Sequence, residues 1–254
     1  MRIVIKVGTS TLAHPTGRLN IRRVEELCKI PSDIKNAGHA VIVVSSGAIG
    51  MGVGKLGLTS RPKDIPTKQA AAAVGQCELM YTYDKLFSEY NHTVAQILIT
   101  GDDVKNETRH RNFNNTMARL LELGVMPILN ENDTVATEEI VIGDNDTLAA
   151  IVAESVKAEL LVLLSDIDGL YTADPHSHPE AKLIPRITKL DDAVWALAGA
   201  SASDQGTGGM VTKLRAAEVC MNCGCAMVIA NGAKPDNLYA ILEGQEIGTK
   251  FMEE

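Results

Sequence analysis

The chain has 254 residues, 45% of them hydrophobic, enough to bury a sizeable core as one large α/β domain or two closely apposed lobes. Lysine and arginine number 24 against 32 aspartate and glutamate, a net charge of −8 with no basic stripe and no interleaved aromatics, which argues against nucleic acid as a partner. Apolar runs are strand-sized, and the five cysteines are an odd, scattered set; the expectation is a chain without a leader or membrane contact that keeps its thiols reduced in the cytoplasm.

Taken in order, Arg2 to Val7 is mostly β-branched, the pattern of a central parallel strand covered on both faces. Lys6 is its anomaly: its ammonium either snorkels out of the sheet or is aimed at an anion, with Gly8-Thr9-Ser10 offering backbone and hydroxyl donors just beyond. Asn20 is expected to cap a helix running to about Ala37, with Gly38 as its stop and a kink or break near Lys29 to Ile30, where Pro31 removes a backbone donor and crowds the carbonyl of Leu27. Ala40 to Val44 is the next strand. It empties into Ser45-Ser46-Gly47-Ala48-Ile49-Gly50-Met51-Gly52, which reads as an anion-binding turn or, more plainly, a flexible loop. Lys68 to Glu89 is helical, Val94 to Ile99 a strand, Arg109 to Leu123 a helix and Val125 to Leu129 a buried strand.

The run from Asn130 to Asp146 is the richest in chemistry. Asn130 to Asp133 lies at the carboxyl end of a strand, where open α/β sheets bind ligands. Thr134 to Ile142 reads as a hairpin, and Asp144-Asn145-Asp146 as the N-cap of a helix from Thr147 to Val156, a sensible hinge between halves. A solvated hairpin with an ordinary cap explains Asp144, but not two Asn/Asp clusters at both mouths of one hairpin. Leu160 to Leu164 is another buried strand, ending in Ser165-Asp166-Ile167-Asp168-Gly169-Leu170-Tyr171, and Asp174-Pro175 marks a turn. Gly206 to Lys213 is glycine-rich and opens a helix to about Met221. Its spacing is not that of a Gly-x4-Gly-Lys-Ser/Thr loop, yet glycine amides, a helix N-terminus and a lysine one turn inside make a cradle for polyphosphate. Cys220, Cys223 and Cys225 cluster without a fourth ligand, at a helix end running into a buried strand, which argues against zinc.

Six stretches in this order, Ile-Lys-Val-Gly-Thr-Ser, Ser-Ser-Gly-Ala-Ile-Gly, Ile-Leu-Asn-Glu-Asn-Asp, Gly-Asp-Asn-Asp, Ser-Asp-Ile-Asp-Gly-Leu-Tyr-Thr-Ala-Asp-Pro and Gly-Thr-Gly-Gly-Met-Val-Thr-Lys, resemble the amino-acid kinase family over essentially the whole chain. Asn-Glu-Asn-Asp with Gly-Asp-Asn-Asp points to its glutamate-phosphorylating branch, whereas Gly8-Thr9-Ser10 departs from the glycine run of the acetylglutamate kinases. The resemblance implies a three-layer α/β/α sandwich around a central, mainly parallel sheet, with residues 1–150 as a glutamate lobe and 151–254 as an ATP lobe. It implies phosphorylation of the side-chain carboxylate of L-glutamate by ATP with Mg²⁺, the first step of proline synthesis. Lys6, Asp146 and Lys213 match the catalytic positions, the lysines on the phosphates and the carboxylate orienting them. Ser46, Asp133 and Asn145 match the substrate positions, with Asp133 expected on the ammonium and Ser46 and Asn145 on the carboxylates. Lys6, Ser165, Asp166, Thr207, Gly208, Gly209, Met210, Val211, Thr212 and Lys213 match the ATP site, and no protein ligand to the metal is named. The resemblance further implies proline as feedback inhibitor, a homo-oligomer (dimer or tetramer) and hand-off of product to a glutamyl phosphate reductase. Many bacterial members continue into a small RNA-binding-type domain; this chain is expected to be a short form, stopping soon after Gly248-Thr249-Lys250-Phe251. Action on another carboxylate, or a catalytically inactive proline or glutamate sensor, is the alternative.

Overall fold

Arg2–Val7 forms β1, buried at five of its six residues and paired in parallel on both sides, as its β-branched composition demands. This is a computed structural model that describes residues 1–253 except 15–17, 136–144, 176 and 200–208. After β1 come α1 (Thr9–Leu12), α2 (Ile21–Asn36), β2 (Ala40–Ser45), α3 (Ala48–Lys55), α4 (Ile65–Ser88), β3 (Val94–Ile99), α5 (Gly101–Lys105), α6 (Glu107–Glu122) and β4 (Met126–Glu131). The second half supplies α7 (Asn145–Ser155), β5 (Leu160–Ser165), β6 (Arg186–Ile187), α8 (Asp192–Gly199), α9 (Met210–Asn222), β7 (Ala226–Asn231), α10 (Asn237–Leu242) and β8 (Thr249–Phe251).

All eight strands join one sheet in the order β3-β4-β2-β1-β5-β7-β8-β6, parallel except where β8 runs antiparallel to β7. Alternation along each strand divides the core in two. Val4, Ile42, Val44, Leu161, Leu163 and Ile229 face α6, α7, α8 and α9. Ile3, Ile5, Val43, Val162, Leu164 and Val228 face α2, α4 and α10. The result is the three-layer α/β/α sandwich that the sequence implies, and Lys6, two residues after Val4, is turned toward the α7 and α9 layer. Because β1 has β2 on one side and β5 on the other, the chain reverses direction across the sheet here, a topological switch point of the kind that receives ligands in open α/β sheets.

Two local expectations are corrected. The helix containing Pro31 does not break: α2 continues from Ile21 to Asn36. Its Leu27, Cys28, Ile30, Pro31 and Ile34 face is buried, and the Ser32 hydroxyl donates to the Cys28 carbonyl at 2.7 Å, so packing and a side-chain bond offset the donor that proline lacks. Nor are Asn145 and Asp146 both cap residues. α7 already begins at Asn145, and Asp146 is fully buried in its first turn, where its carboxylate meets the ammonium groups of Lys6 and Lys213. The hairpin from Thr134 to Ile142 falls mostly on residues outside the described set, as does Asp144; only the turn at Asp133, Thr134 and Val135 is described.

Candidate active site

Five parallel strands end on one side of the sheet, and their exits carry Gly8, Ser45-Ser46, Asn130-Glu131, Ser165-Asp166 and Asn231-Gly232. Lys6 projects from β1 onto Asp146 of α7, with Nζ 2.5 Å from Oδ1. Lys213, one turn inside α9, meets the other oxygen, Oδ2, at 3.0 Å. Thr212 Oγ1 lies 3.4 Å from that same oxygen and donates to the Gly209 carbonyl at 2.7 Å. The side chains of Lys6, Asp146 and Lys213 are exposed by 11%, 1% and 5%, so three charges share a nearly dry site, where each is costly unless paired. Burial pushes the Asp146 carboxyl up, but the ammonium groups of Lys6 and then Lys213 outweigh it and hold the carboxyl below its ordinary range. Among the described residues two ammonium groups face one carboxylate, at a glycine-led helix N-terminus.

A second, uncharged cluster lies beside the first. Asn145 Nδ2 donates to Ser46 Oγ at 2.8 Å, to Asn130 Oδ1 at 2.9 Å and to the Ser45 carbonyl at 3.3 Å. Asn130 Nδ2 donates onward to Gln76 Oε1 at 2.9 Å, and both Asn130 and Gln76 are buried. Ser45 Oγ is 2.7 Å from the hydroxyl of Tyr83, whose phenol burial pushes well up. The backbone around Ser46 is shaped by Gly47, at φ 106°, in the left-handed region that favours glycine. α3 then packs on α4 so closely that a Cβ on Gly52 would sit 1.8 Å from the Ala71 carbonyl oxygen, and one on Gly75 1.7 Å from that of Ala48.

The structure thus brings together Lys6, Asp146, Thr212 and Lys213, and separately Ser46 and Asn145, and the two clusters adjoin because Asn145 and Asp146 are consecutive. Asp133 is half-buried in the turn after β4; burial pushes its carboxyl up, opposed by the Arg61 cation. Among the described residues no hydrogen bond or ion pair ties its side chain to either cluster. Ser165 Oγ donates to Asp166 Oδ1 at 3.0 Å, at the end of β5. Gly209 is the N-cap of α9, and Met210, Val211, Thr212 and Lys213 are its first turn, while Thr207 and Gly208 lie outside the described residues. Sequence reasoning missed Gln76, whose signal is a polar side chain on the apolar stripe of Ala72, Leu79 and Tyr83. It also left unassigned Asn231, which donates to Asp168 Oδ1 at 2.8 Å beside Ser165. The Cys223 thiol donates to the Cys220 carbonyl at 3.2 Å, and among the described residues no three His, Cys, Asp or Glu side chains gather as a metal site. Nor, among them, is any helix long and apolar enough to cross a membrane.

Comparison with known proteins gives the same frame. The amino acid kinase family model matches residues 1–231. Glutamate 5-kinase of Clostridium acetobutylicum is 53% identical over 251 residues, covering 99% of this chain and 94% of that protein. Glutamate 5-kinase of Symbiobacterium thermophilum is 53% identical over 253 residues, covering 100% and 96%. The longer glutamate 5-kinase of Caldanaerobacter subterraneus subsp. tengcongensis is 50% identical over 252 residues, 99% of this chain and 68% of that protein. Among solved structures, carbamate kinase from Giardia lamblia bound to AMP-PNP superimposes with a TM-score of 0.70 at 16% identity, over 100% of this chain and 98% of that one. Isopentenyl phosphate kinase from T. acidophilum does so at 0.67 and 18%, over 100% of both. At these identities the structural matches speak to the fold alone.

Proposed function

The chain belongs to the amino acid kinase family, and from that premise we propose that it transfers the γ-phosphoryl group of ATP to the side-chain carboxylate of L-glutamate, giving L-glutamyl 5-phosphate and ADP, the first step of proline synthesis from glutamate. The observation that carries the reading is the buried Lys6, Asp146 and Lys213 cluster beside the Ser46 and Asn145 cluster: a cationic seat for phosphate adjoining a neutral, hydrogen-bonding seat for an amino acid. The half-identical relatives, all named glutamate 5-kinase, support the same acceptor.

The nucleophile is a carboxylate with an unperturbed pKa of about 4.3, so it arrives ionised and needs no general base. The obstacle is the approach of an anion to a polyanion. Lys6 and Lys213 offset it by placing positive charge where negative charge lies on the transferring group and builds on the bridging oxygen, and a nearly dry site strengthens that interaction. Asp146 is a poor base, its carboxyl being held low by the same lysines; its part is to fix the two ammonium groups. Gly209 to Lys213, with Thr207, Gly208, Ser165 and Asp166, form the nucleotide seat in the 151–254 lobe. Ser46, Asp133 and Asn145 form the glutamate seat in the 1–150 lobe. Mg²⁺ enters as part of the substrate MgATP, held by phosphate oxygens and water as this ion commonly is. Both Asp146 oxygens are engaged by lysines, so no protein ligand is assigned to it.

A silent sensor of proline or glutamate has no need of two lysines clamped at a phosphate seat, and the catalytic reading is the stronger. It extends to proline as feedback inhibitor, to a homo-oligomer and to a reductase that receives the acyl phosphate in the cytoplasm; molecular mass in solution with and without proline tests the first two. ADP release should depend on L-glutamate and not on acetylglutamate, aspartate or carbamate. Lys213→Ala should lower kcat by orders of magnitude with a smaller change in KM for L-glutamate. A variant that kept kcat and lost only ATP affinity would make Lys213 a ground-state binder.

A further inference from the structure

The carboxamides that lead to the glutamate seat form a chain whose donor and acceptor ends are set by two backbone groups. The first is the Glu131 N–H, which can only donate and which reaches Asn130 Oδ1 at 2.9 Å. That fixes the Asn130 amide: its oxygen lies on the side of Glu131 and Asn145, and its nitrogen is turned to Gln76 Oε1 at 2.9 Å. The second is the Ser45 carbonyl, which can only accept and lies 3.3 Å from Asn145 Nδ2. A flipped Asn145 would set its oxygen against two acceptors, the Ser45 carbonyl and Asn130 Oδ1, so its nitrogen must face them. Two hydrogens on Nδ2 then serve Ser46 Oγ at 2.8 Å and Asn130 Oδ1 at 2.9 Å, with the Ser45 carbonyl sharing.

Two consequences follow for a bound amino acid. Asn145 has spent its donors on the protein, and what it can offer a ligand is the carbonyl oxygen, an acceptor. Ser46 Oγ accepts from Asn145 with one lone pair, which leaves its O–H to donate to a ligand. We propose that Asn145 reads the ammonium group of the substrate through Oδ1, that Ser46 reads a carboxylate through its hydroxyl, and that Gln76 and Asn130 are positioning residues that hold this polarity. This replaces the sequence-based expectation that Asn145 donates to a carboxylate, and it rests on the functional reading above. Gln76 is suited to the part. It lies mid-way along α4, exposed by 8%, on the same buried stripe as Leu79 and Tyr83, in a helix locked to α3 by backbone contacts at Gly52 and Gly75.

Glutarate, which is L-glutamate without the ammonium, separates the two polarities. The measured quantity is the ratio of the Ki of glutarate to the KM of L-glutamate, with KM for ATP as the control. Asn145→Ala removes the acceptor, so it should weaken the ligand that carries an ammonium more than glutarate and narrow the ratio roughly tenfold. Gln76→Met keeps length and helix propensity but gives Asn130 no good acceptor; it should raise KM for L-glutamate roughly tenfold and the Ki of glutarate much less, narrowing the ratio at unchanged KM for ATP. A purely structural role would move all three constants together. Gln76→Glu, which offers the same acceptor, should restore the wild-type ratio. An Asn145→Ala enzyme with an unchanged ratio overturns the proposal, whether or not Gln76→Met folds. A wild-type enzyme that releases no ADP with L-glutamate overturns the functional reading instead.

Discussion

Asp146 ties the chemistry of single residues to the stability of the whole. Burial pushes its carboxyl up, Lys6 and Lys213 pull it down further, and the net direction is below the ordinary aspartate value of about 3.9. A carboxyl depressed on folding contributes stability that is present above its unfolded value and is lost as pH falls through its folded one. Denaturation midpoints followed downward from about pH 5 should therefore fall more steeply for the wild type than for Asp146→Asn, and parallel curves would remove Asp146 from the acid response. Asp133 has the opposite sign, since burial raises it and Arg61 only opposes that. Its ionised form should pair with the ammonium of L-glutamate, so KM for L-glutamate should begin to climb, on acidification, above the ordinary aspartate range. Asp133→Asn should raise that KM by about ten- to a hundredfold, with little change for ATP, and should lose this limb of the profile. Lys6 was legible from sequence because a cation in a β-branched strand has few explanations. Gln76 was not, because its partner Asn130 is 54 residues away and a glutamine in a helix looks like solvated surface.

Secondary-structure elements show where local reading succeeds and where packing overrides it. The central strands were legible because burial on both faces forces continuous apolar runs, α6 because its apolar spacing is regular, and α9 because a glycine-rich stretch opens it. α3 was read as a turn. Its sequence, Ala-Ile-Gly-Met-Gly-Val-Gly-Lys, carries three glycines, each costing about 0.5–1 kcal/mol in a helix relative to alanine. Gly52 in α3, together with Gly75 in α4, lets the backbones touch, and that tertiary contact offsets the weak propensity. α4 in turn starts three residues earlier than Lys68, at Ile65, because Asp64 caps it by accepting from the Thr67 N–H at 2.9 Å. Gly75→Ala should push α3 off α4 and destabilise the fold by about 1–3 kcal/mol. Since α3 begins two residues after Ser46, KM for L-glutamate should rise while KM for ATP holds; a thermal midpoint equal to the wild type would show that the helices part without cost.

On the scale of the molecule, the order of motifs was legible because four of the six sit at the exits of the parallel strands β1, β2, β4 and β5, which lie on one side of the sheet, while the other two lead into the starts of α7 and α9. The edge formed by β8 and β6 was not, since strands of three and two residues carry no readable period. The sheet runs unbroken through both halves of the chain, and α7 lies over its middle, bonded at its first turn to β1, β2, β4 and α9 through Asn145 and Asp146. Neighbouring side chains on a helix diverge by about 100°, so a single backbone step carries the amino-acid contact and the phosphate contact as one rigid body. Whatever tilts that step for one substrate tilts it for the other. The two dissociation constants should then be thermodynamically linked: a non-hydrolysable ATP analogue should change that of L-glutamate by about fivefold or more, and L-glutamate should change that of the analogue by the same factor. Values that stay independent would mean that the first turn of α7 is a passive support, and that each substrate is weighed without knowledge of the other.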